Sequence, residues 1–235
     1  MVSGGGIRHV FVCGGLEGAD VWREAIALCM SGEAQREAAK AAEEAAEALA
    51  AAAPPKQCSL VFVIDETGRR VLLGYKKRGF GEGKWNGFGG KLEGDEAMVE
   101  CASRELREES GYSVNNENMI PRGRLNFIMR SDGMVDKHTG AISSKIHVFV
   151  YSCHLSDTTG RATESEEMRP QWWSYDDVPL KEMWADDQYW LPHLLAGYDV
   201  VGEFTMADKS TLVDHKVEVL MAGGWAARAA AASSG

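Results

Sequence analysis

The chain has 235 residues, of which 45% are hydrophobic and 26% charged, and it carries a formal net charge of −10. This is the composition of a soluble globular protein with room for one ordinary domain plus appendages. The acidic balance argues against non-specific binding to long nucleic acids, which needs a basic footprint, and no run of about 18 apolar residues offers a membrane span.

Residues 1–30 suggest a strand in "HVFVC" and a short helix in "ADVWREAIALCM". The intervening "CGGLEG" lacks the full GxGxxG spacing of a dinucleotide site. Glu17, Asp20 and Glu24 come too early for a transit peptide, so the cytoplasm is the expected location, with organelle and nucleus left open. The following "GEAQREAAKAAEEAAEALAAAAPP" has strong helix propensity but almost no large apolar side chain. It reads as a solvated helix or linker stopped by Pro54-Pro55, so residues 1–56 form a helical N-terminal extension.

The sequence then changes character. "CSLVFVID" and "RRVLLGYK" are β-rich runs separated by "ETG", a hairpin pattern. A helix is expected over Glu96–Ser110, then strands in "GRLNFIM", "KIHVFVYSC" and "PQWWSYDDVP", and a helix in "YWLPHLLAG". Strands before, between and after a few helices predict an α+β domain over residues 57–221. The tail from 222 to 235, "GGWAARAAAASSG", reads as disordered. Cys13, Cys29, Cys58, Cys101 and Cys153 form no CxxC pair, which suits a reducing compartment. The six histidines include no short-spaced pair of the zinc-binding kind.

The helix over 96–110 carries the chemistry. Asp95 is its expected cap and Gly111 its left-handed stop. At about 100° per residue, Glu105, Glu108 and Glu109 share one face with Met98 and Cys101, with Ala102 and Leu106 at its edge. Glu96, Glu100, Ser103 and Arg107 occupy the opposite side, so a merely solvated acidic face fits poorly. Two like charges about 6 Å apart repel by roughly 3 kcal/mol at an effective dielectric near 20. Arg104 can pair with one carboxylate but cannot neutralise the cluster, and an oxygen-only cluster suits Mg²⁺ or Mn²⁺.

Gly90, then Glu96 after five intervening residues, then "RELREESGY" after seven more, resemble the box of the Nudix hydrolases, with Arg104, Glu105, Leu106, Glu108, Glu109, Gly111 and Tyr112 at its positions. The resemblance implies an α/β/α sandwich around a mixed β-sheet and Mg²⁺-dependent hydrolysis of a nucleoside diphosphate linked to a further group. "RVLLGYKKRGFGEGKWNGFGGK" and "ESEEMRPQWW…DDVPLKEMWADDQYW" look like the branch that hydrolyses oxidised purine nucleoside triphosphates to monophosphate and pyrophosphate. That likeness runs from about Ser59 to Val219.

By the resemblance, the Gly89 carbonyl, Glu105, Glu108, Glu109 and Glu167 hold Mg²⁺, with Glu109 the first choice for the general base and Arg104 part of the catalytic box. Lys76 and Lys91 contact substrate, and the glycines of "GFGG" let backbone approach phosphate. Asn86 reads a purine edge, Trp184 stacks on the base, and Phe80, Phe127 and Met129 close the pocket. Asp186 and Asp187, pushed to different protonation states, satisfy an oxidised guanine and, by exchanging protons, an oxidised adenine. Ser59, Phe88 and Met168 also fall at substrate-contacting positions. From the residues alone, Lys76 reads first as an exposed lysine of "KKR" and Asp186-Asp187 as a helix cap with a first-turn acid, while "GFGG" is simply a turn.

The chain departs from the branch in places. Met129 stands where it has a second pocket Phe, Ala185 replaces a Pro, Ser59 replaces a Thr, and the loop 130–145 is longer. The expected partner is a free modified purine nucleotide, with no long nucleic acid and no membrane, and relatives imply a monomer. A Nudix hydrolase for another substrate, or a non-catalytic nucleotide-binding module, stays open.

Overall fold

β1 (Lys56–Asp65) is apolar on both sides, and the reason is its place in the middle of the sheet. Val61 and Val63 face one layer, while Leu60, Phe62 and Ile64 face the other. The computed structural model describes residues 36, 37, 40, 54–129, 145–208 and 210–232. The chain divides into two units, Met1–Ala46 and Glu47–Gly235. In the first, Arg36, Glu37 and Lys40 are helical, whereas the strand and helix expected within residues 1–30 lie outside the described residues.

In the second unit β1 is followed by β2 (Arg70–Lys76), β3 (Trp85–Asn86), α1 (Met98–Ser110) and β4 (Tyr112–Val114). Then come β5 (Ile120–Met129), β6 (Lys145–His154), β7 (Thr158–Gly160), β8 (Met168–Ser174), α2 (Asp187–Leu195), β9 (Asp199–Met206), β10 (Leu212–Leu220) and α3 (Gly224–Ala232). The main sheet runs β10-β9-β5-β6-β1-β2-β3, with β8 also on β2, and β4 pairs with β7 apart from it. It is mixed: β1–β6 and β5–β9 are parallel and the remaining pairs antiparallel.

Helices cover both faces. On one, Ala102 and Leu106 of α1 pack with Val61, Val63, Leu72 and Phe88. On the other, Trp190, Leu191 and Leu194 of α2 pack with Phe62, Leu125, Val200 and Phe204. This is the sandwich that the sequence predicts. The "ETG" turn does join β1 to β2, with Val63 opposite Leu72 and Asp65 opposite Arg70. Asp65 closes it by accepting hydrogen bonds from Thr67 Oγ1 (3.0 Å) and the Gly68 N–H (2.9 Å).

Two expectations are corrected. α1 is capped at Ala97 and not at Asp95, because the Glu100 carboxylate reaches back to the Ala97 N–H at 2.8 Å and sets the start of the helix. Gly111 ends it as expected, at φ 80°, donating its N–H to Arg107 O at 3.1 Å. The tail is not disordered: residues 224–232 form α3. Composition alone missed that alanine has the highest helix propensity and that the tail has anchors. Trp225 donates its N–H to Asp199 Oδ2 (3.1 Å), its ring lies 5.7 Å under the Arg124 guanidinium, and Arg228 pairs with Glu218 at 2.9 Å.

Asp199 is buried and also accepts from Arg122 Nε at 2.9 Å, while Arg122 bonds the Tyr198 carbonyl at 2.8 Å. It thus joins β5, β9, α3 and the end of α2. Asp199→Ala should lower unfolding stability by roughly 3–5 kcal/mol, since it leaves a largely buried guanidinium without its partner. Urea denaturation checks this, and a loss under about 1 kcal/mol would deny the ion pair that role.

Candidate active site

The site begins where β1 and β2 part. β2 pairs with β1 only at Arg70–Leu72, and β3 takes β1's place beside Gly74 and Tyr75. The segment after β3 fills the gap against β1. Val61 and Phe88 exchange backbone hydrogen bonds at 2.7 and 2.9 Å, and the Ser59 N–H reaches Gly90 O at 2.9 Å. Space requires glycine at 89, against backbone, and at 90 a side chain would displace the Glu105 carboxylate. A Cβ on Gly89 would lie 2.1 Å from Ser59 O, and one on Gly90 would lie 2.2 Å from Glu105 Oε1. "GFGG" is therefore the strip over which the helix carboxylates close.

Those carboxylates descend into a cleft of about 640 Å³. Glu109 lies deepest with 6% of its side chain exposed, Glu105 follows at 14%, and Glu108 stands at the rim at 52%. The shared face thus turns from core to solvent along the helix, and Glu108 does not point along the apolar side as the helical angles suggested. Glu109 Oε2 accepts the Gly89 N–H at 2.9 Å, and Oε1 accepts from Lys76 Nζ at 2.9 Å. Lys76 also donates to Glu167 Oε2 at 2.7 Å. It is no solvated lysine, but the bridge between α1 and the loop ahead of β8.

Arg104 does more than pair with one carboxylate. It contacts Glu96 at 2.7 Å, Glu105 at 2.8 Å and Glu108 at 3.5 Å. Burial pushes the Glu105 pKa above the usual range, reinforced by Glu109 and Glu108 and opposed by Arg104. Burial likewise raises Glu109 against the pull of Lys76 and the Gly89 N–H. Glu167 is lowered by its hydrogen bond from Lys76, and Glu96 falls to about 2 in the grip of Arg104.

Among the described residues, no three His, Cys, Asp or Glu side chains converge into a ready ligand set. Lys76 bridges Glu109 to Glu167, and Arg104 bridges Glu105 to Glu108. The donor chemistry nevertheless fits a hard divalent cation. Glu105, Glu108, Glu109, Glu167 and Gly89 line one cleft and offer only oxygen, and two of the carboxyls are held in partial burial where a cation would favour their ionised form.

Lys91 and Gly90 line the same cleft. Ser59 is buried below it on the α1 side, its hydroxyl 3.4 Å from Cys101 Sγ. Phe88 and Met168 pack under α1 in the core, and their side chains do not line the cleft.

A second cluster gathers at the start of α2. Asp186 and Asp187 are both buried. Asp186 Oδ2 accepts the Trp190 indole N–H at 3.0 Å, and Asp187 Oδ2 accepts the Trp184 backbone N–H at 2.8 Å. Burial raises both carboxyl pKa values, and Asp187 is raised well above the usual range because the Asp186 charge adds to burial. The pair therefore favours a protonated Asp187 beside an Asp186 that accepts the indole hydrogen bond. As the sequence alone also suggested, Asp187 is a first-turn acid of α2, with Asp186 at the cap position but making no side-chain capping bond.

Trp184 stacks on Phe80 at 4.9 Å between ring centroids. Phe127 stacks on Phe204 at 5.2 Å, on the α2 side of the sheet, and Met129 is buried at the end of β5. Asn86 is half-buried, with its Oδ1 accepting the Gly87 N–H at 2.9 Å. Most of loop 130–145 lies outside the described residues. Sequence reading passed over Lys84 and Trp190, whose partners Met183 and Asp186 appear only in the fold. Arg78 is a third, holding Glu167 Oε1 at 3.1 Å.

Residues 54–194 match the family profile described as the NUDIX domain. The mouse protein named oxidized purine nucleoside triphosphate hydrolase is 42% identical over 160 residues, which span 68% of this chain and 92% of that protein. Its zebrafish namesake is 39% identical over 163 residues, 69% of this chain and 94% of that protein. Among solved structures, a MutT protein from Bacillus halodurans superposes with a TM-score of 0.56 at 26% identity, covering 69% of this chain and 97% of its own.

Proposed function

The chain belongs to the Nudix hydrolase family, and from that premise we propose that it hydrolyses oxidised purine nucleoside triphosphates, 8-oxo-dGTP first among them, to the monophosphate and pyrophosphate. Such an activity keeps damaged nucleotides out of nucleic acid. The observation that carries the substrate reading is the buried Asp186–Asp187 pair, walled by Trp184 and Trp190. One protonated and one ionised carboxyl together offer a donor and an acceptor, which is what an oxidised purine edge requires. The names of the mouse and zebrafish relatives agree with it.

Nudix hydrolases generally use divalent metals, and here Gly89, Glu105, Glu108, Glu109 and Glu167 would hold Mg²⁺. When bound, the ion neutralises phosphate charge as the phosphorus–oxygen bond breaks. Glu109 takes a proton from the water that attacks phosphorus, its carboxylate oriented by the Gly89 N–H and Lys76. The pyrophosphate leaves with the electron pair of the broken bond. Lys76, already between Glu109 and Glu167, is placed to exchange a carboxylate for a phosphate oxygen, and Lys91 flanks it. Arg104 holds Glu105 in orientation from the neighbouring position. The substrate is a free nucleotide in this reading, and the enzyme acts as a monomer in the cytoplasm.

Pyrophosphate release from 8-oxo-dGTP and dGTP, with Mg²⁺ and with EDTA, tests the proposal. The expected result is strong preference for the oxidised nucleotide and loss of at least about 10³-fold in rate with EDTA. Mg²⁺-dependent release without that preference would overturn the substrate reading while keeping the hydrolase.

A further inference from the structure

The loop between β2 and β3 carries one cation inward. Gly79, Gly81 and Gly83 all have φ between 80° and 87°, so the loop coils tightly before Lys84 enters β3. It lies against Trp184 closely enough that a Cβ on Gly81 would come within 2.9 Å of Trp184 Cζ2. The half-buried Lys84 donates to Met183 O at 3.1 Å, and its ammonium sits 5.3 Å from the centre of the Trp184 ring. The peptide that Lys84 holds through its carbonyl, between Met183 and Trp184, is the one whose N–H is bonded by Asp187 Oδ2.

We propose that Lys84 is a positioning residue that sets purine specificity, by fixing the Met183–Trp184 peptide and placing a cation beside the Asp186–Asp187 pair. The inference rests on the oxidised-purine reading of that pocket. Lys84 and Asp187 sit at opposite ends of one peptide unit, Lys84 on its carbonyl and Asp187 on its N–H. Polarising the carbonyl strengthens the N–H as a donor to Asp187. The charged groups acting on Asp187 are Asp186 beside it and Lys84 from the loop, and they pull in opposite directions: Asp186 raises its pKa and Lys84 lowers it. Lys84 therefore eases the deprotonation of Asp187 that burial and Asp186 oppose. With the cation in place, the pair can present either donor–acceptor order to a base. Without it, Asp187 holds its proton more firmly, and a base that needs the reverse order is disfavoured. The ammonium over Trp184 acts on the same pocket by fixing the ring that faces the base.

The test compares wild type, Lys84→Met and Lys84→Arg in two measurements. The first is a ¹³C titration of the aspartate carboxyl carbons in the free protein, which needs no substrate. The second is kcat and KM for 8-oxo-dGTP and 2-hydroxy-dATP across pH. In Lys84→Met the Asp187 midpoint should rise by about half a pH unit or more. The ratio of kcat/KM between the two nucleotides should change by roughly fivefold or more, carried by KM. Lys84→Arg should restore both. An unmoved midpoint, or equal losses on both nucleotides as a merely structural role would give, overturns the proposal. Should the wild type hydrolyse neither oxidised nucleotide, the substrate reading fails separately. The carboxyl titration then still decides whether Lys84 governs the pair.

Discussion

Glu109→Gln should lower kcat by roughly 10²–10⁴-fold, the usual contribution of a positioned general base, while leaving the fold in place. The substitution keeps the volume of a side chain that is almost wholly buried, and an amide oxygen can still accept the Gly89 N–H. Lys76 loses one anionic partner but retains Glu167 at 2.7 Å. The stability change should therefore stay within about 1 kcal/mol, since the charge removed was itself disfavoured by burial. Steady-state kinetics and urea unfolding on the same preparation separate the two effects. Full activity in the variant would mean that another group takes the proton.

The second large effect is expected at the purine end. Asp186→Asn should reduce kcat/KM for 8-oxo-dGTP by on the order of 10²–10³-fold, because a pocket built to pair hydrogen-bonding groups penalises any group left unpaired. An asparagine can still accept from the Trp190 indole through its oxygen, but it cannot carry the charge that helps keep Asp187 protonated. The same substitution removes a buried charge, so thermal stability should hold or rise. Activity falling as stability rises is the behaviour expected of a strained functional pair. Unchanged turnover of 8-oxo-dGTP would remove these carboxyls from substrate recognition.

What could be read in the sequence was local. The period of α1 and its Gly111 stop are set within a dozen neighbouring residues, so both are visible without tertiary information. The glutamates of the box share a cleft because one helix turn brings them together. Their graded exposure was not readable, since it depends on how α1 lies across β1, and Glu108 rides past the edge. Arg104 looked able to serve one carboxylate, yet Glu96 comes to it from before the helix starts. Lys84 was invisible for a similar reason: its partners are Met183 and Trp184, far along the chain. The tail was misjudged because its anchor, Asp199, belongs to a strand and leaves no mark on the tail's own composition.

The parallel pairing of β1 with β6 has a consequence for how the chain comes off the ribosome. Lys56 sits opposite Ile146 and Ile64 opposite His154, so β1 has no neighbour on that side until β6 has been synthesised. At about 5–20 residues per second, this interval lasts seconds. Through it, the β1–β2 hairpin presents Val61, Phe62 and Val63 with one edge open, a template for pairing with another nascent chain. The later β5–β9 pairing repeats the situation on the far side of β6. Non-local parallel contacts of this kind also slow folding itself. Yield in a cell should therefore depend on chaperone supply and translation rate more than on the stability of the finished enzyme.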